Sequence, residues 1–390
     1  MTTTVLIFLG GEGPGEVEQW VAGGRAAAMR DAVRLTAALP GVSRVALVVA
    51  APERELPGPV SDRPDLPVVW DFDPPGESFH FGRRLAALME RYASDAFVYL
   101  GAGSLPLLPP DVLAQAIEET TRSPSPLAIT NNLHSSDWMV LNCPEAVRAR
   151  PHRLERDNAL GWVLKNEAGV EVRGLPPSAA TRVDIDTPAD LLVLSLHPCI
   201  GPELSAYLRS HPQDASRSRW LAAGRRLFVP ASQIALIGRV ASGVWNHVEA
   251  RTQVWVRVFS EERGMAASGR QTAGQVRSLV GEHLARVGAE TFFAELGQMA
   301  DAVFFDTRVA LVAHHRLWPP AADRYASDLG LADQIRDPFL RELTAAAVNA
   351  PIPIVLGGHG VVAGGLYALV EIAEAEGWGS NAYSDFRLHR

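Results

Sequence analysis

Short hydrophobic runs recur through the first half of the chain, and each is followed by a polar or glycine-rich segment. The runs have the length of buried strands and end at turn signals, so they predict the strands of a β-sheet. They are Val5–Leu9, Arg44–Ala50, Pro67–Asp71, Ala96–Leu100, Leu127–Thr130, Met139–Leu141 and Gly169–Val172. Segments with helical spacing separate them, among them Val17–Leu39 and Leu85–Tyr92. This alternation predicts a three-layer α/β domain, with a mostly parallel sheet and helices on both faces.

Helical spacing dominates the second half of the chain. Five segments have it: Gln233–Glu249, Gln275–Val287, Glu290–Ala300, Phe339–Val348 and Gly365–Glu376. Two short apolar runs, Ala302–Phe305 and Ile352–Leu356, predict strands. A polar, Arg- and Ser-rich region follows His197-Pro198 and predicts a domain boundary. We therefore predict an α/β domain over residues 1–197, a linker over 198–218 and a mainly helical domain over 219–390.

Length and composition favour a two-domain globular protein in a reducing compartment. The chain has 390 residues, of which 47% are hydrophobic and 21% charged, and its net charge of −8 argues against a nucleic-acid partner. Two cysteines are too few for a disulfide framework. The start has no basic segment typical of a signal peptide, and no apolar run reaches membrane length. We expect a cytoplasmic protein without a membrane partner, and the sequence leaves open whether it forms a homo-oligomer.

The loop after the first strand is rich in glycine, which lets backbone approach a ligand closely. Its spacing matches neither the dinucleotide fingerprint nor the phosphate-binding loop, and a surface loop explains it equally well. Lys165 is the only lysine, so arginines or backbone amides would have to hold a phosphate. The candidates for phosphate binding are Gly10, Gly11, Gly13, Arg25, Arg83 and Arg84.

A second polar cluster follows the strand Leu127–Thr130. Ligands of open α/β sheets bind at the carboxyl ends of strands, so this cluster is a candidate for binding an acceptor. Its residues are Asn131, Asn132, His134 and Asp137.

The stretch Arg182–Leu191 carries two aspartates one residue apart. Alternation in a strand would put Asp184 and Asp186 on one face, before a helix capped by Thr187 and begun by Pro188. Two neighbouring carboxylates repel each other unless a cation or donors satisfy them, which favours a divalent metal. The alternative is that Asp186 caps a turn and Asp184 faces water.

Two motifs together resemble a family. Gly103-Ser104-Leu105-Pro106, followed by a helix and later by Asp184-Ile185-Asp186-Thr187-Pro188, resembles the MobA-like and 2-phospholactate guanylyltransferase-like nucleotidyltransferases. The resemblance covers about the first half and implies a glycosyltransferase-A-like fold. It also implies Mg²⁺ held by an aspartate after a glycine and by a late acidic motif. This chain has Ser104 at the first of these positions, so Asp184 and Asp186 are the remaining candidates for holding the metal.

The second domain offers one further candidate site. Gly358, His359 and Gly360 join a strand to a helix, where backbone amides could bind an anion together with Arg308. Close glycine packing between helices explains the same sequence, and Arg–Asp or Arg–Glu pairs explain the arginine.

Three hypotheses follow for function. The first is Mg²⁺-dependent transfer of a nucleotidyl group from a nucleoside triphosphate to a small phosphorylated or carboxylated acceptor. The second is a catalytically degenerate nucleotide- or anion-binding protein with a scaffold or regulatory role, since Ser104 replaces a metal ligand. The third is an enzyme that uses His359 or Asp306 between the domains.

Overall fold

The structure is a computed structural model that describes residues 2–11, 13–50, 63, 65–316 and 318–378. Contacts among these residues group the chain into two compact units. The first comprises the described parts of Met1–Glu12, Ala22–Asp184 and Gly201–Tyr207. The second comprises those of Gly13–Val21, Ile185–Ile200 and Leu208–Arg390.

The first unit is built on a seven-stranded sheet. In chain order its strands are β1 (Thr3–Leu9), β2 (Val42–Val49), β3 (Val68–Phe72), β4 (Ala96–Gly101), β5 (Leu127–Thr130), β6 (Trp138–Leu141) and β7 (Glu171–Gly174). They lie in the order β3-β2-β1-β4-β6-β5-β7, and β6 alone runs antiparallel to both of its neighbours. The predicted mostly parallel sheet is confirmed.

Helices cover both faces of this sheet. They are α1 (Glu16–Ala37, which begins in a range of the second unit), α2 (Phe81–Tyr92), α3 (Pro110–Arg122), α4 (Pro144–Arg148), α5 (Leu160–Asn166) and α6 (Ala179–Arg182). Side chains of β1 alternate between two cores, with Val5 and Ile7 in one core and Leu6 in the other. The first core contains Met29 of α1, and the second contains Leu85 of α2. The three-layer α/β arrangement is therefore confirmed.

The strand predicted around Val183 and Ile185 is wrong. Helix α6 ends at Arg182, and residues 183–185 pair with no strand that the structure describes. Helix α7 (Pro188–Leu194) starts soon afterwards, with Thr187 as its N-cap and Pro188 in its first turn, as predicted. Asp190 accepts hydrogen bonds from the backbone N–H groups of Asp186 and Thr187, at 3.1 and 2.7 Å. These local bonds occupy donors that a strand ladder would need.

The second unit is helix-rich, as predicted, and is built around a four-stranded parallel sheet. Its strands β8 (Gln233–Gly238), β9 (Trp255–Ser260), β10 (Ala302–Asp306) and β11 (Ile354–Gly357) lie in the order β11-β10-β8-β9. Helix α8 (Pro202–Ser210) lies mostly in a range of the first unit. The helices of the second unit after α7 are α9 (Asp214–Arg226), α10 (Ser242–Arg251), α11 (Leu279–Val287), α12 (Ala289–Met299), α13 (Arg308–His315), α14 (Ala321–Asp328), α15 (Pro338–Val348) and α16 (Gly364–Glu376). Helices α8 and α9 occupy much of the segment predicted as a linker.

The helix predicted over Gln233–Glu249 is wrong, because the segment contains β8 and the start of α10. Residues 234–237 are all buried, as in the central strand of a parallel sheet, and apolar spacing alone did not distinguish this run from a helix. Strand β9 was not predicted. It lies at the edge of the sheet with Trp255 66% exposed, so its sequence lacks a buried run. Among the helices that the structure describes, none is long and apolar enough to cross a membrane.

Candidate functional site

A cavity of about 540 Å³ lies in the first unit, at the carboxyl ends of β1, β2 and β4. Four of its lining residues are aromatic: Phe8, Phe79, Phe81 and Tyr99. Four are charged: Asp73, Glu155, Arg156 and Asp157. Gly10, Gly11 and Gly101 supply backbone to the wall. The cavity therefore occupies the edge of the sheet at which open α/β domains bind ligands.

Aromatic rings form one wall of this cavity. The ring of Phe8 lies 5.4 Å from that of Tyr99 and 6.5 Å from that of Phe79, both in edge-to-face geometry. Phe81 and Tyr99 are buried, whereas Phe79 keeps 58% of its surface exposed. An exposed ring beside a packed aromatic cluster offers an apolar face on which a planar ligand can stack.

Tyr99 and Asp157 both line the cavity and bond to each other: the Tyr99 hydroxyl donates to Oδ2 of Asp157 at 2.8 Å. Burial raises the pKa of Tyr99 well above its usual value, and the charges of Asp157, Asp137 and Asp184 add to this effect. The hydroxyl therefore stays protonated. Two residues predicted for the site, Asp137 and Asp184, lie close enough to act electrostatically on this group.

Ser104 is hydrogen-bonded to Gly101, which lines the cavity. The Ser104 hydroxyl is buried and donates to the carbonyl oxygen of Gly101 at 2.8 Å. The N–H of Gly101 donates to the backbone carbonyl of Asp137 at 3.0 Å. The Ser104 side chain therefore supports the end of β4.

The cluster after β5 is held by its own hydrogen bonds. The amide group of Asn131 donates to Oδ2 of Asp137 at 2.6 Å and accepts from the N–H of Asp137 at 3.1 Å. Asn132 accepts from the N–H of His134 at 3.2 Å, and the His134 side chain is exposed. Asn131 thus fixes the loop, while His134 is available to a ligand.

The predicted arginines occupy different environments. Arg84 is buried, and its guanidinium donates to the carboxylates of Asp71 and Asp73 at 2.8 Å each. Arg83 is exposed and lines a separate surface pocket of about 290 Å³. Arg25 is half-buried on α1. The geometry brings neither Arg83 nor Arg84 to the lining of the cavity.

Arg156 is the cationic residue that lines the cavity, and the sequence prediction missed it together with Tyr99, Phe79 and Asp157. Arg156 lies between two acids in Glu155-Arg156-Asp157, ahead of α5. This charged run directly before a helix was the available signal. The aromatic residues carried no such signal, because in sequence they resemble core positions.

The glycines of the first loop also differ in their surroundings. Gly10 and Gly11 line the cavity, and a Cβ atom on either would meet no atom within 4 Å. Gly13 lies against the carboxylate of Glu18, which also accepts from the N–H of Gly15 at 3.0 Å. Packing against Glu18 explains Gly13, whereas Gly10 and Gly11 leave the cavity wall open to a ligand.

Asp184 and Asp186, the two predicted metal ligands, have separate surroundings. Asp184 belongs to the first unit and Asp186 to the second, where the Asp186 carbonyl accepts from the Tyr325 hydroxyl at 3.0 Å. No group of three or more His, Cys, Asp or Glu side chains among the described residues could hold a metal ion. Mg²⁺ is commonly bound by one or two carboxylates together with ligand phosphates. The donors around Tyr99 could therefore serve a metal only as part of a ligand complex.

In the second unit, the candidate anion loop is explained by packing. Gly357 lies against Val361, and Gly360 lies against the carboxylate of Asp190. Arg308 is 2% exposed and donates to Asp328 at 2.6 Å and to Thr307 at 3.1 Å. Gly358 approaches Thr187 and Arg308, and only His359 of this loop is exposed. The glycines thus allow close approach between elements, which was the alternative interpretation.

No family model and no curated protein matches the chain. Several solved structures are similar to it. One is described as a nucleotide-diphospho-sugar transferase from Desulfovibrio desulfuricans, with 17% identity and a TM-score of 0.39, covering 54% of this chain and 96% of its own. A cytidylyltransferase from Leptospira borgpetersenii has 14% identity and a TM-score of 0.38, covering 54% of this chain and 95% of its own. A 4-diphosphocytidyl-2C-methyl-D-erythritol synthase has 14% identity and a TM-score of 0.34, covering 50% and 97%.

Proposed function

We propose that the first unit binds a nucleoside triphosphate and transfers its nucleotidyl group to a small phosphorylated or carboxylated acceptor. The observation that carries this proposal is the aromatic-walled cavity at the carboxyl ends of β1, β2 and β4. The cavity has the volume of a small-molecule site and combines apolar rings with a few convergent polar groups.

Each part of the cavity suits one part of a nucleotide. Phe79 and Phe8 would stack on the base, since aromatic rings bind every base through its face. The backbone at Gly10 and Gly11 would approach the phosphates, and the Arg156 guanidinium would pair with one of them. The protonated hydroxyl of Tyr99 would donate to the ligand or keep Asp157 in place.

The acids around Tyr99 would repel phosphates unless a cation lies between them. Mg²⁺ bound with the nucleotide would supply that charge and would stabilise negative charge developing on the phosphates. Asp184 is the candidate in the first unit for holding it, and Asp137 and Asp157 are its acidic neighbours around Tyr99. The loop containing Asn131, Asn132 and His134 would contact the acceptor.

A second candidate function is nucleotide binding without transfer. It is favoured by Ser104, whose hydroxyl bonds to Gly101 where the resembling family has a metal-binding aspartate. A buried serine that supports a strand end is a poor substitute for a carboxylate ligand of Mg²⁺.

A pyrophosphate-release assay distinguishes these functions. The full chain is incubated with Mg²⁺, each nucleoside triphosphate in turn and a panel of phosphorylated and carboxylated small acceptors. Release that requires one triphosphate and one acceptor supports transfer. Nucleotide binding without release for any acceptor rejects transfer for that panel and supports the second candidate.

Placing an aspartate at position 104 tests independently whether the site has kept its geometry for a metal. Ser104→Asp is expected to strengthen Mg²⁺ binding in the presence of nucleotide if the site lacks one ligand. Ser104→Asn is not, because asparagine has the size of aspartate but no charge. Equal Mg²⁺ affinity in the two folded variants would contradict a retained metal geometry. Melting temperatures of both variants show whether the loss of the bond to Gly101 has unfolded the strand end.

A further inference from the structure

The sheet of the second unit contains a point at which the chain changes direction. From β8 the chain continues to β9 on one side, and β10 and β11 then lie on the other side of β8. In open parallel sheets, ligands bind outside the carboxyl ends of the two strands that flank such a point. Here those ends are Gly238, which closes β8, and Asp306, which closes β10.

Backbone geometry brings these two strand ends together. Gly238 has φ +119°, and a Cβ atom placed on it would lie 2.5 Å from the Cβ atom of Asp306. A side chain is excluded there by both conformation and space. The chain can therefore place the next residue, Arg239, directly over the Asp306 carboxylate.

Asp306 and Arg239 form a bidentate ion pair at this edge. The Arg239 guanidinium donates through Nε to Oδ2 at 2.6 Å and through Nη2 to Oδ1 at 3.1 Å, and Asp306 is fully buried. Burial alone would raise the pKa of Asp306, but the charge and hydrogen bonds of Arg239 hold it below its usual value. Both groups are therefore charged, and the guanidinium has a fixed orientation.

One side of the Arg239 guanidinium remains available to bind a ligand. The Arg239 side chain is 21% exposed, and its Nη1 donates to no residue within the described parts of the chain. Arg263 and His359 are exposed, and Arg239 and Arg263 lie close enough for their charges to act on the His359 ring. Burial, and then the charges of Arg239 and Arg263, lower the pKa of His359 to about 4. Two guanidinium cations and a neutral imidazole thus approach the same strand ends.

The acids beside this cluster already have partners. Glu261 accepts from the Ser278 hydroxyl at 2.9 Å, and Glu262 accepts from Arg270 at 2.6 Å. Asp306 is paired with Arg239 and Glu262 with Arg270, whereas Glu261 is held by a neutral hydroxyl and keeps its charge; none of the three acids bonds to Arg263 in the described part of the chain. Buried ion pairs add little net stability compared with apolar packing, so the Arg239–Asp306 pair at a sheet's carboxyl edge favours a binding role.

We propose that this edge is a second ligand site, at which Arg239, Arg263 and His359 bind the oxyanion of a small phosphorylated or carboxylated molecule. Arg239 would supply a donor in fixed geometry, and Arg263 and His359 would close on the anion from the exposed side. Arg239, Arg263, His359 and Asp306 all belong to the second unit, and none of them lines the cavity of the first unit.

The proposal is tested by NMR of the full chain, which follows the imidazole signals of His359. These signals are assigned by their absence from the spectrum of the His359→Gln variant. Inorganic phosphate and acetate are the two probes, each titrated at constant ionic strength. A saturable shift with phosphate alone supports a phosphoryl site, and a shift with both supports a general oxyanion site. No saturable shift with either probe overturns the proposal.

Arg263→Gln tests the contribution of the arginine without disturbing the ion pair below it, since Arg263 bonds to no residue in the described part of the chain. Arg251→Gln is the matched control, because Arg251 is exposed on α10 and pairs with Glu374. We expect Arg263→Gln to weaken probe binding about five-fold or more, as for one lost charge-assisted bond, and Arg251→Gln to leave it unchanged. Equal affinities in the two variants would contradict the site.

Discussion

The hydroxyl of Tyr99 donates to Oδ2 of Asp157 at 2.8 Å, and both residues line the cavity of the first unit. The same unit contains a second tyrosine–aspartate bond, from Tyr92 to Asp71 at 2.6 Å, between residues that do not line the cavity. Both are tyrosine–carboxylate hydrogen bonds, but only the first joins residues of the cavity lining. Substitutions at the two tyrosines therefore separate an effect on the stability of the protein from an effect on ligand binding.

Replacing each tyrosine by phenylalanine makes this comparison. Each substitution removes one bond to a carboxylate and is expected to lower the free energy of unfolding by about 1 to 2 kcal/mol. Only Tyr99→Phe is expected to weaken nucleotide binding as well, by about five-fold, because Tyr99 and its partner Asp157 both line the cavity. Urea unfolding and calorimetry measure the two effects. If Tyr92→Phe weakened nucleotide binding equally, the bond to Asp157 would have no special role.

Asp190 predicts a dependence of stability on pH. Burial and then the charge of Asp186 raise its pKa from 3.8 to about 7. The folded chain therefore binds a proton between pH 4 and 7 that the unfolded chain has released, so this group's contribution to stability falls as pH rises through that window. The total effect is on the order of a few kcal/mol.

Asp190→Asn should remove this dependence while leaving an oxygen to accept from Thr187. Urea unfolding between pH 4.5 and 7.5 is expected to show a smaller loss of stability with rising pH in the variant than in the unsubstituted chain. Asp111→Asn, at an exposed position on α3, controls for the loss of one charge. A variant with the slope of the unsubstituted chain would show that Asp190 is ionised throughout.

Gly238 predicts a steric effect at the strand end of the second unit. Gly238→Ala would combine an unfavourable φ of +119° with a Cβ 2.5 Å from Asp306, at a cost of about 3 kcal/mol or more. Gly264→Ala, at φ +76° and with nothing within 4 Å, should cost only about 1 kcal/mol. Thermal unfolding of both variants checks the difference. Similar losses would mean that the approach to Asp306 is not tight.

Much of the fold followed from sequence because buried runs and turn signals coincide in the first half. The seven predicted strands of the first unit all occur, within a few residues of their expected bounds. The strand predicted at residues 183–185 does not form, and directly after it the Asp190 carboxylate accepts hydrogen bonds from the backbone N–H groups of residues 186 and 187. Strand β9 was missed because an exposed edge strand has no buried run to mark it.

The site was less accessible to prediction than the fold. Glycines and charged residues could be identified in the sequence: Gly10 and Gly11 line the cavity, and the charges of Asp137 and Asp184 act on Tyr99. Whether an arginine is available depends on its tertiary partners, and sequence did not reveal that Asp71 and Asp73 hold Arg84. The role of Phe79 likewise depends on its exposure beside Phe8, which no local pattern encodes.

Calorimetric titration with each of the four nucleoside triphosphates, in the presence of Mg²⁺, tests the central claim most directly. We expect saturable binding of at least one triphosphate, weakened about ten-fold by Phe79→Ala, since stacking of a base on an aromatic ring contributes about 1 to 3 kcal/mol. Trp162→Ala, at a ring 42% exposed on α5 and outside the cavity lining, should bind like the unsubstituted chain. Absence of binding for all four triphosphates, or equal affinity in the two variants, would contradict a nucleotide site in this cavity.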